Sequence, residues 1–328
     1  MKICFFCKIK ERKLLETVEF YKQDIDILKK IDSSLTIATN YSEIDWNADI
    51  IFIWWWTYAL YPVLVGKIKR KKTIITGTYN YKCPEADRDY FKRPYWQRLL
   101  LKLATWIANK NIFVSRREYE QICTDWKLTN AIYIPHGIDT ERYSPLQHRS
   151  NDFLFTICWM EKENIKRKCI LEIIDAIMLL TSKHPDIKLY IAGHKGDASV
   201  YIEDYISKLN LQSNIYLIGE ISTEEKINYL RNCRIYLQPS KYEGFGLAIA
   251  EAMSCGAPVI TSAVGEVPVV VKDAAILVIP EPENIAKAIE ELLCLETDQL
   301  SRYARERIEK NFPLCRREHE IYNLIMNQ

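Results

Sequence analysis

The chain has 328 residues, 48% of them hydrophobic and 27% charged, and 45 Lys and Arg face 43 Asp and Glu for a net charge of +2. That length allows two domains of ordinary size, and the composition is that of a soluble globular protein. The start, MKICFFCKIK, turns charged again at Lys8 and forms no basic-then-apolar leader, and no run reaches the roughly 18 apolar residues of a membrane span, so a cytoplasmic protein is expected.

The first half alternates apolar runs with helical patterns. Ile3–Cys7 and Leu35–Thr39 read as strands flanking a helix from about Thr17 to Ile31. Asp49–Trp55 is a continuous apolar strand of the kind covered on both faces. A helix near Tyr58–Lys69 and the strand Lys72–Thr76 follow. A tyrosine-rich loop leads to the helix Tyr95–Asn109, the strand Ile112–Ser115, the helix Arg116–Trp126 and the strand Ala131–Ile134. IPHGIDTERYSP, Ile134–Pro145, has two prolines, a glycine and no apolar period, and reads as a domain connection. The alternation then restarts with strand Phe153–Trp159, helix Cys169–Ser182, strand Lys188–Ala192, helix Tyr201–Leu209, strand Ile215–Ile218 and helix Thr223–Arg231. Strand Ile235–Gln238 and helix Leu247–Ser254 follow, then strands near Val259 and Ile276. Helices at Pro282–Leu295, Asp298–Lys310 and Leu314 to about Met326 complete the chain. Such alternation predicts an α/β fold of two doubly wound parallel sheets, over 1–145 and 146–328, with the last helix, about 314–328, able to pack back on the first domain.

The ten cysteines are scattered, as buried thiols of a reducing compartment would be. Cys4 and Cys7 are three steps apart on one strand and point to opposite faces, which argues against a redox or zinc pair. No His, Asp and Cys grouping has metal-ligand spacing, so neither a metal nor another cofactor is expected. Charge is uneven: residues 1–148 hold 24 Lys and Arg against 17 Asp and Glu, the remainder 21 against 26. The first half should therefore favour an anionic partner or surface. Lys67, Lys69, Arg70, Lys71 and Lys72 follow an apolar stretch, and Trp96, Leu99, Leu100, Leu103 and Trp106 alternate with Arg98 and Lys102. These letters describe either a packed amphipathic helix beside a solvated loop or a surface resting on an anionic membrane. Trp54-Trp55-Trp56 is open to two readings also, core or a stacking platform for a sugar ring. The basic groups lack a nucleic-acid recognition module, so no nucleic-acid partner is expected.

The stretch Cys233–Ser262 carries the chemistry. A buried strand stops at Pro239-Ser240, and Glu243-Gly244-Phe245-Gly246 turns into a helix closed by Gly256 and Pro258. A glycine-bearing turn at a helix start reads either as an anion site framed by Glu243 and Glu251, or as an ordinary turn with Glu251 a surface charge. The string EGFGLAIAEAMSCGAPVI resembles the signature of the family 4 (group 1) retaining nucleotide-sugar glycosyltransferases, and IPHGIDTERYSP resembles that family's interdomain segment.

The resemblance implies the two-domain GT-B fold, with an N-terminal acceptor domain, a C-terminal nucleotide-sugar domain and the ligands at strand ends in the cleft between them. It implies transfer of a sugar, from a UDP- or GDP-sugar in the first instance, to a glycan or lipid-linked acceptor with the anomeric configuration retained. Glu243 would act on the donor sugar and Glu251 would hold the ribose hydroxyls, while Gly244, Phe245, Gly246 and Leu247 would offer backbone N–H groups. Lys168 stands where the family's lysine falls, although Cys169 replaces the glycine after it. The usual Gly-Arg-Leu is replaced by Cys158-Trp159-Met160, which leaves Lys162, Lys166 or Arg167 to supply a second charge. Ile218, Gly219 and Ile221 resemble the segment lining the base, and Gly193 and His194 lie at a neighbouring strand end. In same-face attack the departing phosphate oxygen takes the acceptor proton and no protein base is required, which fits a chain with no histidine before His136. The glycine loop usual after the first strand is missing at Phe6-Cys7-Lys8-Ile9. Two rivals stand beside this reading: a non-catalytic nucleotide-sugar- or glycan-binding subunit, and a same-fold epimerase or hydrolase.

Overall fold

The computed structural model describes residues 1–84, 89–147 and 153–327; positions 85–88 of the tyrosine-rich loop and Gln328 lie outside them. The chain divides into two compact units, residues 1–137 with 314–328, and residues 138–313. The division falls at Gly137/Ile138 rather than at 145/146 because Ile138 and Tyr143 pack into the second unit's core. The Ile138 N–H also bonds the Phe312 carbonyl at 2.8 Å.

The first unit contains β1 (Ile3–Cys7), α1 (Leu14–Thr17), α2 (Glu19–Ile31), β2 (Thr36–Ala38), β3 (Ile50–Trp54), α3 (Leu60–Ile68), β4 (Lys72–Gly77), α4 (Tyr95–Ile107), β5 (Lys110–Phe113), α5 (Arg116–Trp126) and β6 (Ala131–Tyr133), and a closing helix, Leu314–Met326. Its six strands are parallel in the order β2-β1-β3-β4-β5-β6. The apolar run of β3 is explained by burial on both faces. Ile51 and Ile53 join one core cluster with Cys4 and Phe6, while Ile50, Phe52 and Trp54 join the other with Phe5 and Cys7. Cys4 and Cys7 thus sit on opposite faces. The helix expected from Thr17 is interrupted at Val18, whose extended φ and ψ (−90° and 113°) separate α1 from α2. Strand β5 ends two residues earlier than expected because Ser115 leaves the sheet to cap α5, its Oγ accepting the Glu118 N–H.

Trp54 and Trp56 are core residues whose indole N–H groups bond Asp24 (3.0 Å) and Asn111 (2.9 Å). Trp55 differs: half-buried, it holds φ +78°, a backbone conformation costly for a bulky side chain. Its indole donates to the Tyr21 hydroxyl at 2.6 Å. Gly77, at the end of β4, has φ +138° and a Cβ there would meet the Trp55 ring at 3.1 Å.

The second unit contains β7 (Leu154–Ile157), α6 (Lys162–Arg167), α7 (Ile170–Leu180), β8 (Leu189–Ala192), α8 (Ser199–Lys208), β9 (Ile215–Gly219), α9 (Thr223–Asn232), β10 (Ile235–Gln238), α10 (Leu247–Ser254), β11 (Val259–Thr261), α11 (Val267–Val271), β12 (Ile276–Leu277), α12 (Pro282–Cys294) and α13 (Asp298–Asn311). Its sheet is parallel too, in the order β12-β11-β10-β7-β8-β9. Strand order reverses between β7 and β10 here, and between β1 and β3 in the first unit. Such reversals open a crevice at the strands' carboxyl ends, where open α/β sheets take their ligands. Among the described residues, no helix is long and apolar enough to cross a membrane.

Candidate active site

The crevice between β7 and β10 is built by the two loops that leave those strands. After β7 the chain passes Cys158-Trp159-Met160 and enters α6, so KENIKR, between the expected strand and helix, is itself helical. Asp197 Oδ1 accepts the Lys162 N–H at 2.9 Å and so holds the start of this short helix. Arg167 ends it and Lys168 follows. Cys169 then adopts a left-handed conformation (φ 55°, ψ 43°) that aims the chain into α7. The cysteine occupies a position whose backbone favours glycine.

Across the crevice, β10 ends in Gln238, and Pro239-Ser240 leads to Glu243. Three donors converge on Glu243 Oε1: Arg167 Nη1 at 2.8 Å, Gln238 Nε2 at 2.8 Å and Ser240 Oγ at 2.9 Å. The Arg167 guanidinium also donates to the Tyr242 carbonyl at 3.1 Å. Lys168 Nζ donates to the Ile157 carbonyl (2.8 Å) and reaches Gln238 Oε1 (3.4 Å), bridging the ends of β7 and β10. The Tyr236 hydroxyl donates to the same Gln238 oxygen at 2.6 Å, which fixes the amide with its N–H toward Glu243.

The electrostatics follow from this geometry. Burial alone would raise the Glu243 carboxyl, but Arg167, Lys168 and the Ser240 hydrogen bond outweigh it and hold the group below its usual range. Burial pushes Lys168 down, opposed by Glu243 and reinforced by Arg167. Glu243 raises Arg167, the reciprocal of the same pairing.

A second clamp comes from the loop after β11. Gly265 has φ +53°, and a Cβ there would fall on the Glu243 carbonyl oxygen. Beyond Glu243, Phe245 is buried against Phe312 with ring centroids 5.5 Å apart, and Gly246 takes φ +87° at the N-cap of α10. Gly244 lies between them, and Leu247, half-buried, begins the helix. Glu251 lies on the buried side of α10, 2% exposed. Its Oε1 pairs with Lys226 Nζ of α9 at 2.8 Å, and that ammonium also lies 5.1 Å from the Tyr143 ring centroid. The Glu251 charge reaches Lys168 and the Tyr236 hydroxyl, so both glutamates act on one group of side chains.

The ends of β8 and β9 extend the same edge. Gly193 (φ +146°) lets the β8 loop pass against the Cys158 carbonyl, where a Cβ would collide, and its N–H donates to the Gly219 carbonyl at 2.8 Å. His194 is exposed and lies 3.2 Å from Glu220 Oε2. Gly219 (φ +74°) needs its backbone freedom with nothing near a Cβ, while Ile218 and Ile221 pack on the core beside it. Of the basic candidates, Arg167 and Lys168 join Glu243, whereas Lys162 and Lys166 have exposed side chains on α6. Sequence reasoning missed Tyr236, Gln238, Ser240, Lys226 and Gly265. Of these only Gln238 and Ser240 left a signal, polar residues at and just past the end of an otherwise apolar strand.

The second unit is thus a doubly wound α/β domain with an acid, two cations and a helix start gathered at its switch point. Residues 162–311 match the family described as glycosyl transferases group 1, and the second unit is a group 1 glycosyltransferase domain. A phosphatidylinositol N-acetylglucosaminyltransferase component of Arabidopsis thaliana is 28% identical over 163 residues, 49% of this chain and 36% of that protein. An uncharacterized glycosyltransferase of Methanocaldococcus jannaschii is 31% identical over 189 residues, 57% of this chain and 49% of its own length. The chain thus spans half or less of the curated relatives it matches. Anabaena HepE, solved in complex with UDP and glucose, superposes over the whole of both chains with a TM-score of 0.80 at 16% identity. That likeness shows the GT-B fold of both units.

Proposed function

We propose that the chain is a retaining, family 4-type glycosyltransferase that moves a sugar from a UDP- or GDP-sugar to a glycan or lipid-linked acceptor. The observation that carries this reading is the Arg167–Glu243–Lys168 cluster, held by Gln238 and Ser240 at the switch point of the second sheet and next to the start of α10. A leaving nucleoside diphosphate gathers negative charge, and Arg167, Lys168 and the α10 N–H groups would stabilise it in place of a metal ion. Glu243 Oε2 takes none of the three bonds described above and would accept from donor-sugar hydroxyls, fixing the anomeric carbon. Glu251 would accept from the ribose hydroxyls. Phe245, Gly246 and Leu247 would present N–H groups to the diphosphate, and the Gly193-His194 and Ile218–Ile221 loops would border the base.

In same-face transfer the bond from the anomeric carbon to the phosphate oxygen breaks as the acceptor oxygen bonds to that carbon. The acceptor proton passes to the departing phosphate oxygen. The first unit would receive the acceptor at the carboxyl ends of β1, β3 and β4, where the strained Trp55 offers a half-buried ring for stacking. The lipid in the Arabidopsis relative's name favours a lipid-linked acceptor over a free glycan. The chain would work in the cytoplasm.

The test is a thermal-shift panel with UDP, GDP, ADP, CMP and dTDP. Native-state ligands raise the melting temperature with the logarithm of saturation, so one nucleotide should give a shift that Glu251→Gln removes. No shift with any nucleotide would refute the donor site. A shift without transfer to any acceptor would favour a binding subunit, and donor conversion without acceptor would favour an epimerase or hydrolase.

A further inference from the structure

Helix α4 has two apolar faces, and a helix packed on a globular core needs one. Leu101, Ala104 and Thr105 are its buried residues. Placed at 3.6 residues per turn, Tyr95, Trp96, Leu99, Leu100, Leu103 and Trp106 form a continuous arc on the opposite side. Tyr95 is 72% exposed, Trp96 60% and Trp106 50%. The neighbouring helix α3 repeats the pattern: Pro62, Val63 and Gly66 are buried, while Tyr61, Leu64 and Ile68 form an exposed stripe. Two adjacent helices therefore each present an apolar stripe to solvent, where single exposed apolar side chains would be ordinary.

The charge around this surface is one-sided. From Thr57 to Lys110 the sequence carries twelve Lys and Arg against three Asp and Glu. One of the three, Asp89, is buried and accepts the Cys83 and Phe91 N–H groups. The cations edge the apolar arc rather than interrupt it: Lys102 lies 4.7 Å from the Trp106 ring centroid and Arg98 5.5 Å from that of Tyr95. Lys67 and Lys69 stand exposed at the end of α3.

We propose that the α3–α4 face docks in the plane of an anionic lipid bilayer. Tryptophan and tyrosine at the edge of an apolar face, with basic side chains reaching outward from it, fit the boundary between acyl chains and acidic headgroups. A second copy of the chain would set the same cations against one another. A neutral apolar partner would leave them uncompensated. The surface lies on the first unit and uses none of the residues of the β7–β10 crevice, so the proposal stands apart from the donor reading.

The full chain is tested by flotation with vesicles of phosphatidylcholine alone and of phosphatidylcholine with phosphatidylglycerol, at low and high salt. Binding is expected only with the acidic lipid, weakening as salt rises. Trp96→Glu with Leu99→Glu should lower the partition coefficient by about tenfold or more. Lys67→Ala and Lys69→Ala should each lower it about fivefold. All four positions are exposed, so circular dichroism and the nucleotide shift should match the parent chain. Equal binding to neutral vesicles, or binding unchanged by Trp96→Glu with Leu99→Glu, would overturn the proposal. So would self-association or oligonucleotide binding through this face in a chain that floats with neither vesicle.

Discussion

Replacing Glu243 by Gln keeps the shape of the β7–β10 crevice and removes the carboxylate on whose Oε1 Arg167, Gln238 and Ser240 converge. A hydrogen bond to a charged group is worth about 1 kcal/mol more than a neutral one, so loss of the charge weakens the three by about 3 kcal/mol together. Two terms reduce this. Gln is less costly to bury, and Arg167, whose side chain is 35% exposed, recovers water. The net loss is about 1 to 2 kcal/mol, which lowers the melting temperature of a unit this size by about 3 to 6 °C. The pH dependence carries the diagnosis. Glu243 is held below its ordinary carboxyl value, so its stabilising charge is present above about pH 4.5 and is lost as pH falls through the folded value. Melting curves of parent and variant should therefore differ at pH 7 and converge on acidification. Turnover should fall about a hundredfold or more. Nucleoside diphosphate should bind more tightly, because Arg167 and Lys168 no longer share their charge with a carboxylate. A stability gap that is the same at pH 7 and at pH 3.5 would refute the claim that the fold holds this carboxylate ionised.

Gly265→Ala places a methyl group on the Glu243 carbonyl oxygen at a backbone φ of +53°, so the turn carrying Glu243 must shift. A displacement near 1 Å would cost about a hundredfold in turnover, read by transfer assay, and about 1 to 2 kcal/mol in stability. In the first unit, Arg317 and Asp24 form a bidentate pair at 2.8 and 3.0 Å with side chains 1% and 0% exposed. Arg317→Met should cost about 3 to 5 kcal/mol in denaturant unfolding, and adding Asp24→Asn should recover part of it.

The doubly wound fold was legible because the long central strands, β1, β3 and β10 among them, are apolar runs that alternate with helical patterns. Helices α6 and α11 escaped for opposite reasons. KENIKR in α6 has a single apolar residue, Ile165, and so no period to read. VPVVV in α11 is β-branched and resembles a strand, yet Val267, Val270 and Val271 are buried and fold it into a helical turn. The domain connection was misplaced because IPHGIDTERYSP has the composition of a linker, while Ile138 and Tyr143 within it are core residues.

At the site, Glu243 and Glu251 were legible as a motif, and Lys168 and Arg167 were among the candidates beside it, but Lys226 and Gln238 were not. Lys226 belongs to α9 and Gln238 closes a strand, so no local spacing joins them to the glutamates. The departures from the family's letters are resolved by position instead. After the first strand of the second unit, where an arginine is expected, Arg167 stands next to Lys168 and pairs with Glu243. The glycine expected after Lys168 is replaced by a cysteine that still takes the left-handed backbone. Arg167 and Lys168 reach the ends of β10 and β7 from the residues just before α7, and the chain turns into that helix at Cys169. Cys169 bears the conformational cost with its side chain buried, which offsets part of the strain.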